Sequence, residues 1–251
     1  MQKNENSTLD FLPFEGKNTR LFQIDKSVPL GVQMQFYKKL ATARLRKPSF
    51  TQRRLTYIES LLYDKRMGTK WLKNTLVQLA ATRQIKAYRL LEDFLMVAPR
   101  PLYHWAVLAE FDARIALEAS LSDIEYVAVI TTGLGGRDNL LRYSTLFVTK
   151  NRLPLQEYQC DLLKEEVLYA LEDIKGEFEE STYGDSYAIF SYLIPYGIDP
   201  SSLVEGVAAV CNEVGDFIDP QLLHTTNVKP LNSKEVAKYL QSISEDKGIT
   251  E

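Results

Sequence analysis

The feature that most constrains this chain is a change of period. From about Pro29 to Leu121 the apolar residues recur at helical spacing, about every 3.6 residues. From Ser122-Asp123 onward they alternate with the period of two that marks a half-buried strand. A chain that is helical first and strand-rich second is restricted to an α+β architecture with a boundary near Ser122.

The helical half reads as five segments. Val32, Phe36, Leu40 and Leu45 mark a first helix that ends before Pro48. Ser49 or Thr51 caps a second, with Leu55, Ile58, Leu61 and Leu62 on one face. Gly68 breaks it, and Trp71, Leu72, Leu76 and Leu79 mark a third. Ile85, Tyr88, Leu91, Leu95 and Met96 mark a fourth, stopped by Pro99 and Pro101. The fifth, from Leu102 through Trp105, Leu108 and Phe111 to Leu117, is apolar on more than one side and should be the most buried. Arg54-Leu55-Thr56-Tyr57 aligns with Ile85-Lys86-Ala87-Tyr88 at an offset in the low thirties, the length of an αα-hairpin unit. The expected layer is therefore an irregular αα-hairpin or HEAT/TPR-like stack. That resemblance is one of length only and implies no residue roles.

The second half reads ββα-ββα, then a short strand and a helix. Strands are expected at 125–132, 140–149, 177–182 and 187–196, with a short one at 225–228. Pro154 opens a helix that Gly176 ends. Asp199 caps a second with Pro200 at its first position, and Ser233 caps a last. Two hairpins with helices returning over one face make a two-layer sandwich of ferredoxin-like type. The expected divisions are 1–30, a disordered start and extended arm; 31–121, a basic all-helical domain; 122–243, an acidic α/β sandwich; and 244–251, a polar tail. The first strand and the second would form a hairpin whose tip is Gly133-Leu134-Gly135-Gly136-Arg137-Asp138-Asn139.

The net charge of −3 conceals an asymmetry. From Gln35 to Arg100 there are 15 Lys and Arg against four acids, +11; from Pro101 to Glu251 there are 11 against 25, −14. Such a separation speaks to partners rather than to fold. The basic residues Lys38, Lys39, Arg44, Arg46, Lys47, Arg53, Arg54, Lys65, Arg66, Lys70 and Lys73 are the candidate nucleic-acid contacts, since a row of them can neutralise several phosphates. A protein partner is an equal expectation, with the acidic half or an acidic surface as the complement. Gly133, Gly135, Gly136, Arg137 and Asn139 are the candidate partner or anion loop. A glycine-rich turn can present amides to an anion, although phosphate loops ordinarily lead into a helix and this one leads into a strand.

Catalytic patterns are absent: there is no nucleophile elbow, no H-E-x-x-H and no Walker-type loop. His104 and His224 lack metal-ligand companions, and Cys160 and Cys211 have neither disulfide nor metal spacing. No cofactor and no metal are expected. No membrane span and no leader are read in the sequence, which gives a cytoplasmic expectation. The functional expectation is a non-enzymatic binding or adaptor protein that contacts nucleic acid or a ribonucleoprotein through the basic helical layer. A protein-only scaffold is the second reading. A phosphate- or nucleotide-binding sensor or enzyme using the Gly133–Gly136 loop is the third. The sequence is silent on oligomeric state.

Overall fold

The computed structural model describes residues 19–122 and 126–247. The class is α+β, and the chain divides into two compact units between Thr131 and Thr132, whereas the change of period alone puts the boundary near Ser122. Residues 1–18 of the expected arm and 248–251 of the expected tail lie outside the described residues.

The helical unit begins with β1 (Thr19–Gln23) and ends with β2 (Tyr126–Ile130). Between them run α1 (Leu30–Leu45), α2 (Gln52–Leu62), α3 (Thr69–Ala81), α4 (Ile85–Val97) and α5 (Arg100–Leu121). The expected punctuation operates: Thr51 accepts from the Arg54 amide to cap α2, Gly68 sits at the N-cap of α3, and Pro99 precedes α5. α3 packs between α1 and α5, α4 packs on α5, and α2 on α4. Phe36, Leu76, Leu79, Leu91 and Leu108 are essentially inaccessible in one shared core. Each such side chain contributes about 1.5–3 kcal/mol.

One expectation is corrected here. The segment read as the first strand of a hairpin does not pair with 140–149. It pairs in parallel with β1, Thr19 opposite Tyr126 and Gln23 opposite Ile130. Parallel strands need a long crossover, and here the crossover is the five helices. Period shows that a segment is extended but not what it pairs with.

The sheet unit holds β3 (Gly136–Arg137), β4 (Leu140–Val148), α6 (Glu157–Asp173), β5 (Glu177–Tyr183), β6 (Tyr187–Pro195), α7 (Pro200–Gly215), β7 (His224–Thr226) and α8 (Ser233–Lys247). The antiparallel order is β3-β4-β6-β5, with β7 also pairing with β4. Residues alternate along β4. Phe147 joins Phe190 and Tyr192 under α6 and α7, while Leu146 and Val148 join Ile189, Val236 and Leu240 under α8. Helices therefore cover both faces, which corrects the expected two-layer sandwich. The β4 sequence Leu146-Phe147-Val148 is apolar at consecutive positions, as burial on both faces requires. Two caps also differ from the reading. α6 starts at Glu157, three residues beyond the Pro154 read as its first position, with Gln156 as its N-cap. Asn232, which accepts from the amides of Lys234 and Glu235, precedes Ser233 at the start of α8.

Candidate functional site

The glycine segment can be placed first, because it is not a mobile tip. Gly133, Leu134, Gly135 and Gly136 are buried. A Cβ on Gly133 would stand 1.7 Å from the Val228 carbonyl oxygen, so only glycine permits that approach. The Leu134 amide donates to Asn227, the Leu134 carbonyl accepts from Arg142, and the Gly135 carbonyl accepts from the Arg142 amide and the Thr132 hydroxyl. Arg137 pairs with Glu177 at 2.6 Å, which holds the guanidinium on the sheet. The tight turn is Asp138-Asn139, both with positive φ, in the mirror-image hairpin class that such residues favour. The segment packs against the chain's own 227–228 backbone, with Arg137 and Asn139 exposed at its far end.

The eleven basic candidates do not form one layer. Arg53 and Arg54 lie exposed in the first turn of α2, and Lys70 in that of α3. Arg66 chelates the Asp64 carboxylate and holds it down to about 2. Lys65 edges a largely apolar depression with Met67, Phe94 and Val97. The Lys73 ammonium lies 5.0 Å above the Trp105 ring. The others fall on two flanks of α1.

On one flank, Lys38, Lys39 and Arg46 line a groove of about 480 Å³ between α1 and α3, with Gln35, Asn74 and Gln78. Lys38, Thr42 and Arg46 recur at i, i+4 and i+8, as do Asn74 and Gln78 at i and i+4, so each helix offers one stripe to the other. Lys39 donates to Asn74 Oδ1 at 2.6 Å. No carboxylate is among the lining residues.

On the other flank, a pocket of about 540 Å³ is lined by Tyr37, Arg44, Arg83, Asp112, Ser120 and Thr131, with apolar Ile115, Ala116, Ala119 and Val129. Asp112, on the buried helix α5, is only 8% exposed. Its Oδ2 accepts from Arg44 Nη2 at 2.7 Å, tying α1 to α5. Burial pushes the Asp112 carboxyl up to about 6, against the pull of Arg44 and then of Arg83. Burial, and then the Asp112 charge, push the Tyr37 phenol up to about 12. Arg44 Nε is buried without a hydrogen-bond partner. Arg44, Lys47 and Arg83 also line an adjoining depression of about 350 Å³.

Lys47 and Arg83 share a backbone state. Each follows the C-cap of its helix, Arg46 for α1 and Thr82 for α3, and each has left-handed φ, 45° and 56°. A non-glycine residue pays about 1–2 kcal/mol for this conformation. In return, a cation is placed beside the negative end of a helix dipole. A perturbed carboxyl with charged partners in a cleft makes this pocket a candidate site. Sequence reasoning missed Arg83, Asp112 and Tyr37. The available signal was an acid at the centre of the most apolar helix, between Phe111 and Ala113.

No group of metal-ligating side chains and no helix long and apolar enough to cross a membrane occurs among the described residues. No protein-family model and no curated protein matches this sequence. Among solved structures, the chain is similar to a putative transposase from Deinococcus radiodurans, with 14% identity, a TM-score of 0.34, and 44% of this chain and 93% of that one covered. It is also similar to a REP-associated tyrosine transposase bound to a REP hairpin, with 14% identity, a TM-score of 0.31, and 40% and 62% covered. The expected non-enzymatic adaptor, with its scaffold variant, is corrected by these two findings, both of which are transposases by name. Beyond that correction, scores this low carry no argument about the chemistry of this chain.

Proposed function

We propose that this protein is a nucleic-acid-binding enzyme that holds a phosphate backbone in the groove between α1 and α3. The observation that carries this reading is the convergence of Lys38, Lys39 and Arg46 with Gln35, Asn74 and Gln78 in one groove without a lining acid. Lysine, arginine and side-chain amides are the groups that position a protein on phosphates and sugars. An enzyme is favoured over an adaptor by the pocket on the opposite flank of α1, where a buried carboxyl titrates near 6 beside two arginines. Acid–base groups do their work at such values. The names of the two solved structures agree with this reading without carrying it.

The test is binding to duplex and single-stranded nucleic acid as a function of salt, for the wild type and for a Lys38→Glu, Lys39→Glu, Arg46→Glu variant. Each phosphate contact contributes about 0.7–0.9 to the log–log salt slope, so the variant is expected to lose about 2–3 units. An unchanged slope and affinity in the variant would overturn the groove as the interface.

A further inference from the structure

The second flank of α1 specifies a ligand more narrowly than the first. Its lining combines three features: two arginines, one buried carboxyl, and the apolar side chains of Ile115, Ala116, Ala119 and Val129. At about 540 Å³ it is of the size that encloses small organic molecules. The arginines are set in place before any ligand arrives. Asp112 anchors Arg44 through Nη2. The left-handed turn after α3 fixes the base of Arg83. Only Asp112 Oδ2 is engaged by Arg44, and the carboxyl lines the pocket.

We propose that the pocket lined by Arg44, Arg83, Asp112 and Tyr37 binds a small organic molecule through a terminal oxyanion, phosphate or carboxylate, held by the two arginines, with its apolar part against Ile115, Ala116, Ala119 and Val129. The inference rests on the pocket read above as the chemical half of the enzyme, and not on the groove. Guanidinium groups are the preferred partners of such oxyanions, through paired N–H donors.

The charged and titratable groups that face Asp112 are Arg44 and Tyr37 from α1 and Arg83 from the turn between α3 and α4; Val129 of β2 and Thr131 just after it add no charge. A bound oxyanion adds a negative charge to this set, and a like charge favours the protonated carboxyl. Binding is therefore coupled to proton uptake by Asp112. Protonated, the carboxyl ceases to compete for the arginines and can donate a hydrogen bond to the ligand. The affinity is expected to be higher below Asp112's value of about 6 than above it.

The experiment is calorimetric titration of the whole chain. The probes are phenyl phosphate, inorganic phosphate and benzenesulfonate, whose charge is constant across this range. Phenyl phosphate is expected to bind about tenfold or more tighter than inorganic phosphate, since the ring covers the apolar wall. Arg83→Gly removes the guanidinium and keeps a residue suited to positive φ; it should weaken phenyl phosphate by about tenfold or more. Benzenesulfonate should bind more tightly on the acid side, and Asp112→Asn should abolish that difference. The triple charge reversal in the α1–α3 groove should leave all of these values unchanged, which separates this proposal from the nucleic-acid reading. Absence of phenyl phosphate binding at millimolar concentration overturns the pocket. So does binding that Arg83→Gly leaves intact, or binding that the groove variant removes.

Discussion

The α1–α3 groove and the sheet unit place their cations differently. In the sheet unit four basic side chains are committed to acids. Arg137 is tied to Glu177, Arg142 to Glu179, Lys150 to Asp216 and Lys229 to Glu235. Arg142 also donates to the Leu134 carbonyl, so it fastens the glycine segment to the sheet. In the helical unit, Arg66 and Arg114 are similarly spent on Asp64 and Glu110. Along the α1–α3 groove, however, Lys38 and Arg46 take part in no ion pair among the described residues, and Lys39 meets a neutral amide. A paired arginine holds its own fold, whereas an uncommitted cation beside amides is available to a phosphate. The lesson is that a count of charges along a sequence measures neither; what matters is which cations the fold leaves uncommitted.

Four measurements would break or sharpen this contrast. The largest effect is expected from the groove. Reversing Lys38, Lys39 and Arg46 together should cost about a hundredfold or more in nucleic-acid affinity at low salt, while the denaturation midpoint stays nearly unchanged because none of the three supports the core. A large loss of stability instead would move these residues to the structural side.

Next comes Arg44. Removing it by Arg44→Ala leaves Asp112 buried without its counter-ion, which costs about 3 kcal/mol or more in stability at neutral pH. Adding Asp112→Asn in the same chain should recover most of that loss in chemical denaturation. If the double variant is no better than the single, the pair is not coupled as drawn.

The third effect is one of pH and has an unusual sign. Asp112 is raised from 3.8 to about 6 in the folded protein. Between those two values the folded state holds the proton more tightly than the unfolded chain. Its contribution to stability is therefore fully present below about 4 and is lost as pH rises through about 6, by on the order of 2–3 kcal/mol. Most carboxylates behave in the opposite sense. Urea melts across this range, wild type against Asp112→Asn, should show a slope in the first that is missing in the second.

The smallest effect belongs to the sheet unit. Arg142→Ala removes the pair with Glu179 and the bond to Leu134, for a loss of about 1–2 kcal/mol. No change in nucleic-acid binding should accompany it. A binding defect there would erase the distinction between the units.

The legibility of these features in the sequence divides along the same physical line. Local signals were readable. Thr51 marked the cap of α2, Asp199-Pro200 marked the start of α7, and the change of period gave the class. Features assembled from distant elements were not. Asp112 meets Arg44 across 68 positions. Residues 126–130 find their partner at 19–23, on the far side of five helices. The run Gly133–Gly136 looks like a loop because glycines usually are, yet its composition is dictated by the Val228 carbonyl, which no neighbour in sequence announces. The two-sided cover of the sheet was visible in Leu146-Phe147-Val148, had the unbroken apolar run been weighed above the alternation that precedes it.

The parallel clasp of β1 and β2 also has a consequence for engineering. A fold whose first and last elements are neighbours can be handled as a cassette. Thr19 lies beside Tyr126 and Gln23 beside Ile130, so the entry and exit of the helical unit are separated by one short strand, about 13 Å at the usual rise. A linker of about five extended residues spans that gap. Joining residue 131 back to residue 19 and opening the chain at the exposed turn around Gly68 would give a permuted unit whose helices, groove and pocket are all retained.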